Sequence, residues 1–216
     1  MKSLERPASA EKATASFNVR LFLASSNPGK LREFCTLAEN TASPVELAAL
    51  PGIENIPEYQ EDAPTFGENA LGKALYYSRR CADAVMCDDS GLVVPALGGR
   101  PGVHSARYAG PNATSRERIE KLLGELTGKT DLEREAHFVC AIALARQGRA
   151  IAVVSDRVDG LILETGRGAA GFGYDPVFYF PTLKKTFAEL TPEEKNRHSH
   201  RGKAFLRLLA ALPGVL

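Results

Sequence analysis

Two apolar runs, Ala136–Ala145 (AHFVCAIALA) and Ala150–Val158 (AIAVVSDRV), flank a Gln147-Gly148 turn, and no other part of the chain restricts its fold as tightly. Two strand-length runs joined by so short a connection pair as antiparallel neighbours, and Leu161–Glu164 extends the meander. The N-terminal part has a different rhythm. Val19–Ala24 (VRLFLA) reads as a buried strand that ends in small polar residues and Asn27-Pro28-Gly29. Lys30–Glu39 then carries Leu31, Phe34, Leu37 and Ala38 at helical spacing. Thr65 opens TFGENALGKALYYSRRCA, where Phe66, Ala70, Leu71, Ala74 and Tyr77 mark one helix face and Glu68 completes a capping box. Ala84–Cys87 is a strand leading into an Asp88-Asp89-Ser90-Gly91 turn, with Leu92–Val94 extended beyond it. Gly98–Gly102 is a loop, and Ser115–Leu126 is an amphipathic helix capped by Thr114 or Ser115. Val177–Phe180 (VFYF) gives a short strand, Pro192–Asn196 starts a helix, and Arg201–Leu212 is a last helix ended by Pro213-Gly214. This irregular mixture predicts an α/β or α+β fold on a mixed sheet, not a regular doubly wound one.

At 216 residues the chain fits one domain, or one domain split into two lobes around a cleft. Residues 1–18 are polar, without the hydrophobic centre of a secretory signal, and are expected to be a disordered tail before a single domain over 19–216. A formal net charge of +1 gives no basis for a nucleic-acid or membrane-surface partner, so an anionic ligand must be met by a local cluster of donors. The longest apolar run, Phe138–Ala145, is far too short to cross a membrane. Cys35, Cys81, Cys87 and Cys140 lack metal-site spacing and read as reduced, mostly buried thiols of a cytoplasmic protein.

Three clusters carry chemistry. Ser25-Ser26-Asn27-Pro28-Gly29-Lys30 places hydroxyls, an amide, loop N–H groups and an ammonium at a helix start, all suited to phosphate oxygens. It is not a Walker loop, because one glycine is present and Lys30 is followed by Leu31. On its own it reads more readily as a capped strand-to-helix turn with a solvent lysine. Glu61, Asp88 and Asp89 form a candidate magnesium group, since that ion takes one or two carboxylates plus phosphates and waters. Asp88 and Asp89 are adjacent at a strand end, so their side chains diverge and only one need face a cleft. Lys73 lies on the Asn69 side of its helix, and periodicity alone makes it a solvated lysine; Arg107 is a phosphate clamp or a surface ion-pair partner.

The third cluster spans Gly171–Arg201. Phe172 sits among glycines that let a backbone approach a ligand, followed by Gly173, Tyr174 and Asp175, then Lys195, His200 and Arg201. An aromatic face with an acceptor and fixed donors suits a flat hydrogen-bonding base. Phe178 and Phe180 alternate as a strand with one buried face and are core.

Together SSNPGKLREF, TFGENALGKA, DDSGL, GGRPGVHSARYAG, GFGYDPVF and ELTPEEKNRHSHRGKA resemble the inosine triphosphate pyrophosphatases, the non-canonical purine nucleoside triphosphate pyrophosphatase family. The resemblance implies an elongated mixed α/β fold with two lobes around a cleft, magnesium dependence and a homodimer. It implies hydrolysis of ITP, dITP and XTP to the monophosphate and pyrophosphate. It assigns Ser25–Lys30 to the triphosphate, Lys73 to its neutralisation, Glu61 and Asp89 to magnesium, and Asp89 to general-base work. Ser90, Phe172–Asp175, Lys195, His200 and Arg201 would contact the nucleoside. Ser25-Ser26 replaces the Thr-Gly of many members, and Gln60 stands where an acidic residue is frequent. A related nucleotide hydrolase of the Maf type, a P-loop phosphotransferase and a non-catalytic nucleotide sensor fit these motifs less well.

Overall fold

The computed structural model describes residues 19–41 and 45–214, so the tail expected over 1–18 lies outside the described residues. The strands are β1 (Val19–Leu23), β2 (Val45–Ala49), β3 (Ala84–Val93), β4 (Glu135–Arg146), β5 (Arg149–Ile162), β6 (Phe178–Phe180) and β7 (Lys185–Thr186). The helices are α1 (Pro28–Asn40), α2 (Phe66–Ser78), α3 (Ser115–Glu125), α4 (Pro192–His198) and α5 (His200–Ala211). All strands join one seven-stranded sheet in the order β2-β1-β3-β4-β5-β6-β7. β1 pairs in parallel with β2 and β3, and every pairing from β3 onward is antiparallel. The mixed α/β sheet expected from the sequence is therefore present.

The long β4–β5 hairpin is the backbone of this sheet. Ala136 and Phe138 of β4 pack with Leu92, Leu122, Val158, Phe178 and Phe187 near one end. Further along the same strand, Ile142 and Leu144 pack with Leu21, Phe34, Met86 and Phe205 beneath α1 and α5. On the opposite face Ala141, Ala143 and Val85 meet Ala70, Ala74 and Tyr77 of α2, where small side chains let the helix lie close.

Three features depart from the sequence reading. β2 and β7 are strands that the sequence reading lacks: β2 (VELAA) fully buries only Val45 and so carries no continuous apolar or alternating pattern, and β7 has two residues, too few for any pattern. The expected Asp88–Gly91 turn does not exist, because β3 runs unbroken through it, each residue from Val85 to Val93 facing a β4 partner. Gly91 belongs inside the strand because an added Cβ would sit 2.4 Å from Ser105 Oγ and 2.5 Å from the Gly102 carbonyl oxygen. At the start of α2, Thr65 accepts from the Glu68 N–H, but its hydroxyl donates to the Glu68 carboxylate at 2.7 Å, so the reciprocal half of the capping box is missing.

The pairing creates the site. β1 stops at Leu23, paired with Met86, while β3 continues to Val93. Beyond Met86 that edge of β3 is open, and α1 begins just beside it. Crevices at the carboxyl ends of such strands are where α/β sheets bind ligands. Along the open stretch side chains alternate. Met86, Asp88 and Ser90 turn to the α1–α5 face, and Cys87, Asp89 and Gly91 to the α2 face.

Candidate active site

A cleft of about 510 Å³ opens along this edge, lined at one end by Ala24–Asn27, Lys30, Glu61 and Lys73 and at the other by Phe138, Phe172–Asp175, His200 and Arg201. At the first end Asn27 caps α1, its side-chain oxygen accepting from the N–H groups of Gly29 at 2.9 Å and Lys30 at 3.2 Å. Two of the backbone donors expected to face phosphate are thus already engaged. The Leu31 N–H donates to the Asn27 carbonyl at 3.1 Å, so what remains is the Ser25 and Ser26 hydroxyls and the partial positive charge of the helix start. Pro28 is exposed in the first turn and does not line the cleft.

Lys30 Nζ lies 2.9 Å from Asp88 Oδ2. Lys73 is not the solvated lysine of its periodicity. Its ammonium pairs with the Glu61 carboxylate and donates to the Asp88 carbonyl at 2.5 Å. Burial works against that charge, but Asp88 and Glu61 outweigh it and hold the ammonium above the ordinary lysine range. The segment carrying Glu61 is clamped to α2: Tyr76 donates to the Pro57 carbonyl, Tyr59 N–H donates to Tyr77 Oη, and the Tyr59 ring lies where Gly72 leaves room. Arg107 donates to the Glu61 carbonyl at 2.8 Å, from within the cleft wall.

The two adjacent acids differ sharply. Asp88, 1% exposed, is absent from the cleft lining and has Lys30, Ser90 and Arg201 around its Oδ2. Burial would raise its carboxyl, yet Lys30, Lys73 and Arg201 bring it below the usual carboxylate range. Asp89 faces the cleft, accepting from Asn69 Nδ2 at 3.0 Å and the Ser90 N–H at 2.9 Å. Burial, joined by the Glu61 charge, pushes its carboxyl up to about 6 against the pull of Lys30 and Lys73. Asp89 and Glu61 thus offer hard carboxylate oxygens at the cleft, Glu61 held by Lys73 and Asp89 by no cation among the described residues, and oxygens of this kind suit a small divalent cation.

At the far end Phe172 sits between Gly171 (φ +75°) and Gly173 (φ +64°). Its ring rests on Gly29, where a Cβ would come within 2.8 Å of Cδ1. Asp175 Oδ2 accepts from the Phe172 N–H at 2.8 Å and from Lys195 Nζ at 2.6 Å. Burial raises the Asp175 carboxyl despite that ammonium. Glu33 bridges the two cations, 2.6 Å from Lys195 Nζ and 2.9 Å from Arg201 Nη1. Burial would raise its carboxyl, but Arg201 and Lys195 bring it below the ordinary range. Arg201 Nη2 donates to Ser90 Oγ at 2.9 Å, and its guanidinium carbon lies 5.0 Å from the Phe172 ring centre.

Ser199 ends α4 and caps α5, which turns His200 and Arg201 into the cleft from the first turn of α5. His200 stacks on Phe138 with ring centres 4.7 Å apart, and both of its nitrogens are buried without a protein partner. Burial first, then the charges of Arg201 and Lys195, drive its pKa well below the usual value, so the imidazole is neutral.

The structure thus gathers most of the residues singled out from the sequence, with differences of position. Gly29 and Lys195 line a second cavity of about 270 Å³ behind Phe172, together with Glu33, and not the main cleft. Tyr174 contributes its ring to the wall, but its hydroxyl is used in donating to the Ser105 carbonyl at 2.9 Å. Sequence reasoning passed over Glu33 and gave Asn69 no role. Glu33 lies four residues after Gly29 and next to Phe34, on the buried side of α1, and that was its readable signal.

Fold and site together define a mixed α/β protein with two acids, the buried Asp89 and the half-buried Glu61, set between a helix start carrying Lys30 and an aromatic, cation-lined pocket. The chain belongs to the Ham1 family, which it matches over residues 21–211. A relative from Geobacillus kaustophilus named dITP/XTP pyrophosphatase is 52% identical over 188 residues, covering 87% of this chain and 91% of its own. One of the same name from Desulfotalea psychrophila is 45% identical over 196 residues, covering 91% and 86%. The solved structure of a HAM1 protein from Coxiella burnetii is 39% identical with a TM-score of 0.79, covering 91% of this chain and 99% of that one. The Staphylococcus aureus Ham1 protein is 38% identical with a TM-score of 0.78, covering 90% and 98%.

Proposed function

We propose that this chain hydrolyses non-standard purine nucleoside triphosphates, ITP, dITP and XTP, to the monophosphate and pyrophosphate, and so cleanses the nucleotide pool. The observation that carries the reading is Asp89: a cleft-facing carboxylate raised to about 6, between lysines at one end and an aromatic pocket with unpartnered donors at the other. A base with a pKa near working pH is both deprotonated and able to accept a proton. Water attacks the α-phosphorus, Asp89 takes its proton, and the bond to the bridging oxygen of the β-phosphate breaks. Lys30 and Lys73 receive the charge on the departing pyrophosphate. Glu61 and Asp89 would hold magnesium, which supplies charge neutralisation on the phosphate oxygens when bound.

Selection falls to His200 and Arg201. Hypoxanthine and xanthine carry a carbonyl at the six-position, where adenine carries an amino donor. A neutral imidazole has one N–H to give and Arg201 has only donors, so adenine leaves buried groups unmatched. A single domain over 19–216, a homodimer and a cytoplasmic location complete the proposal, resting on the family resemblance and, for location, on four free thiols. Among the described residues no helix is long and apolar enough to cross a membrane. Resolving the products formed from dITP or XTP tests the reaction: monophosphate with pyrophosphate is expected, and diphosphate with inorganic phosphate would overturn attack at the α-phosphorus.

A further inference from the structure

The mechanism above uses Asp89 and leaves its neighbour without a task. Asp88 lies beneath the cleft floor at the one point where the two ends of the site meet. Its Oδ2 holds Lys30 of the phosphate end at 2.9 Å and accepts from Ser90 Oγ at 3.2 Å. The same Ser90 oxygen accepts from Arg201 Nη2 of the base end. Two complementary groups there are unused. Asp88 Oδ1 and Arg201 Nε are both buried without a hydrogen-bond partner, and Nε stands 4.0 Å from Asp88 Oδ2, just outside bonding distance. Buried polar atoms left unpaired are costly, so an acid and a cation in that state side by side call for an explanation.

We propose that Asp88 is a positioning residue that couples phosphate binding to base binding by exchanging partners. In the free protein Asp88 is neutralised chiefly by Lys30. When Lys30 turns to a triphosphate, Asp88 loses that partner and draws in Arg201 Nε. Movement of about 1 Å brings Nε to hydrogen-bond distance. Arg201 is then held through Nε by Asp88 and through its terminal nitrogens by Glu33 and Ser90. The guanidinium already rests on Phe172 through Glu33 and Ser90, and the added Asp88 bond fixes it more firmly when phosphates are present, so base reading is sharpest for a triphosphate. The exchange rests on the reading of the two ends given above.

Fragments that fill one end each test it. Tripolyphosphate and inosine are titrated into the full chain separately and together, with affinities followed by NMR or calorimetry. In the unaltered protein saturating tripolyphosphate should tighten inosine binding roughly tenfold, a typical coupling between two sites. Asp88→Asn should bring that factor close to one. A purely structural Asp88 would instead weaken both fragments and leave the factor intact, which would overturn the proposal. Lys30→Met gives an independent check, because it releases Asp88 without any phosphate. Its inosine affinity alone should rise to that of the tripolyphosphate-loaded protein, and an unchanged or weaker affinity would contradict the exchange even where Asp88→Asn fails to fold. Binding of both fragments without coupling overturns this inference alone. Failure of either fragment to bind the unaltered protein removes the site reading with it.

Discussion

The two faces of β3 carry adjacent aspartates with opposite fates, and the contrast shows how one strand serves two tasks. On the α1–α5 face Asp88 is sealed among Lys30, Ser90 and Arg201, and its carboxyl is held low. On the α2 face Asp89 meets an amide, a backbone N–H and a second acid, and its carboxyl rises to about 6. Both are buried, at 1% and 5% exposure, so burial does not separate them; the sign of the neighbouring charge does. In the proposed function the paired acid organises the site and the acid without a cation partner serves as the base.

The largest expected effect comes from removing the reactive acid. Asp89→Asn should lower kcat for ITP by about 10³- to 10⁴-fold, the upper range for a general base. Near-normal turnover would erase the distinction between the two faces. Next comes selection on the opposite face. Arg201→Ala should shrink the ITP-to-ATP ratio of kcat/KM by on the order of 10²-fold, as a buried donor set loses its strongest member. An unchanged ratio would move selectivity elsewhere. Phe172→Ala should raise KM for ITP roughly tenfold, from the loss of base stacking, with kcat less affected. Equal loss in kcat would mean that the ring orders the reacting groups instead.

The smallest effect concerns stability, and its sign is unusual. The folded, metal-free protein holds the Asp89 proton up to about pH 6, whereas an unfolded aspartate releases it near 3.9. Between those values the folded state binds more protons, so stability falls as pH rises through the window, and the penalty is complete above it. A rise from near 3.9 to about 6 corresponds to ~3 kcal/mol at most, against ~1 kcal/mol for the lost Asn69 hydrogen bond. Metal-free Asp89→Asn should therefore be the more stable protein by about 1–2 kcal/mol at pH 8, and show no gain at pH 4. Denaturant unfolding at both values checks this, and an equal change at the two would contradict it.

How far the sequence revealed this site follows from how each part is encoded. Part of the end proposed for phosphate is contiguous: a strand, Asn27-Pro28-Gly29 and a helix with Lys30 in its first turn can be read in order, whereas Glu61 and Lys73 come from further along the chain. The base end draws on α1, the Phe172 loop and the α4–α5 junction. Its residue types could be read, but the Glu33 bridge joining Lys195 and Arg201 needs the fold to bring distant segments together. Lys73 looked solvated because helical period says which side a residue faces, not what lies there, and here a backbone carbonyl and Glu61 do. The Asp-Asp-Ser-Gly stretch looked like a turn on composition. It is strand because β4 pairs along all of it, and the glycine serves close contact with Ser105. Pairing with a strand some fifty residues away leaves no local trace.

The most direct test of the whole account is pyrophosphate release from ITP beside ATP at equal concentration, with magnesium and then with chelator. Magnesium-dependent release from ITP at least a hundredfold faster than from ATP is the predicted result. Equal release from both would contradict selection by His200 and Arg201, and no release from either would contradict the function itself.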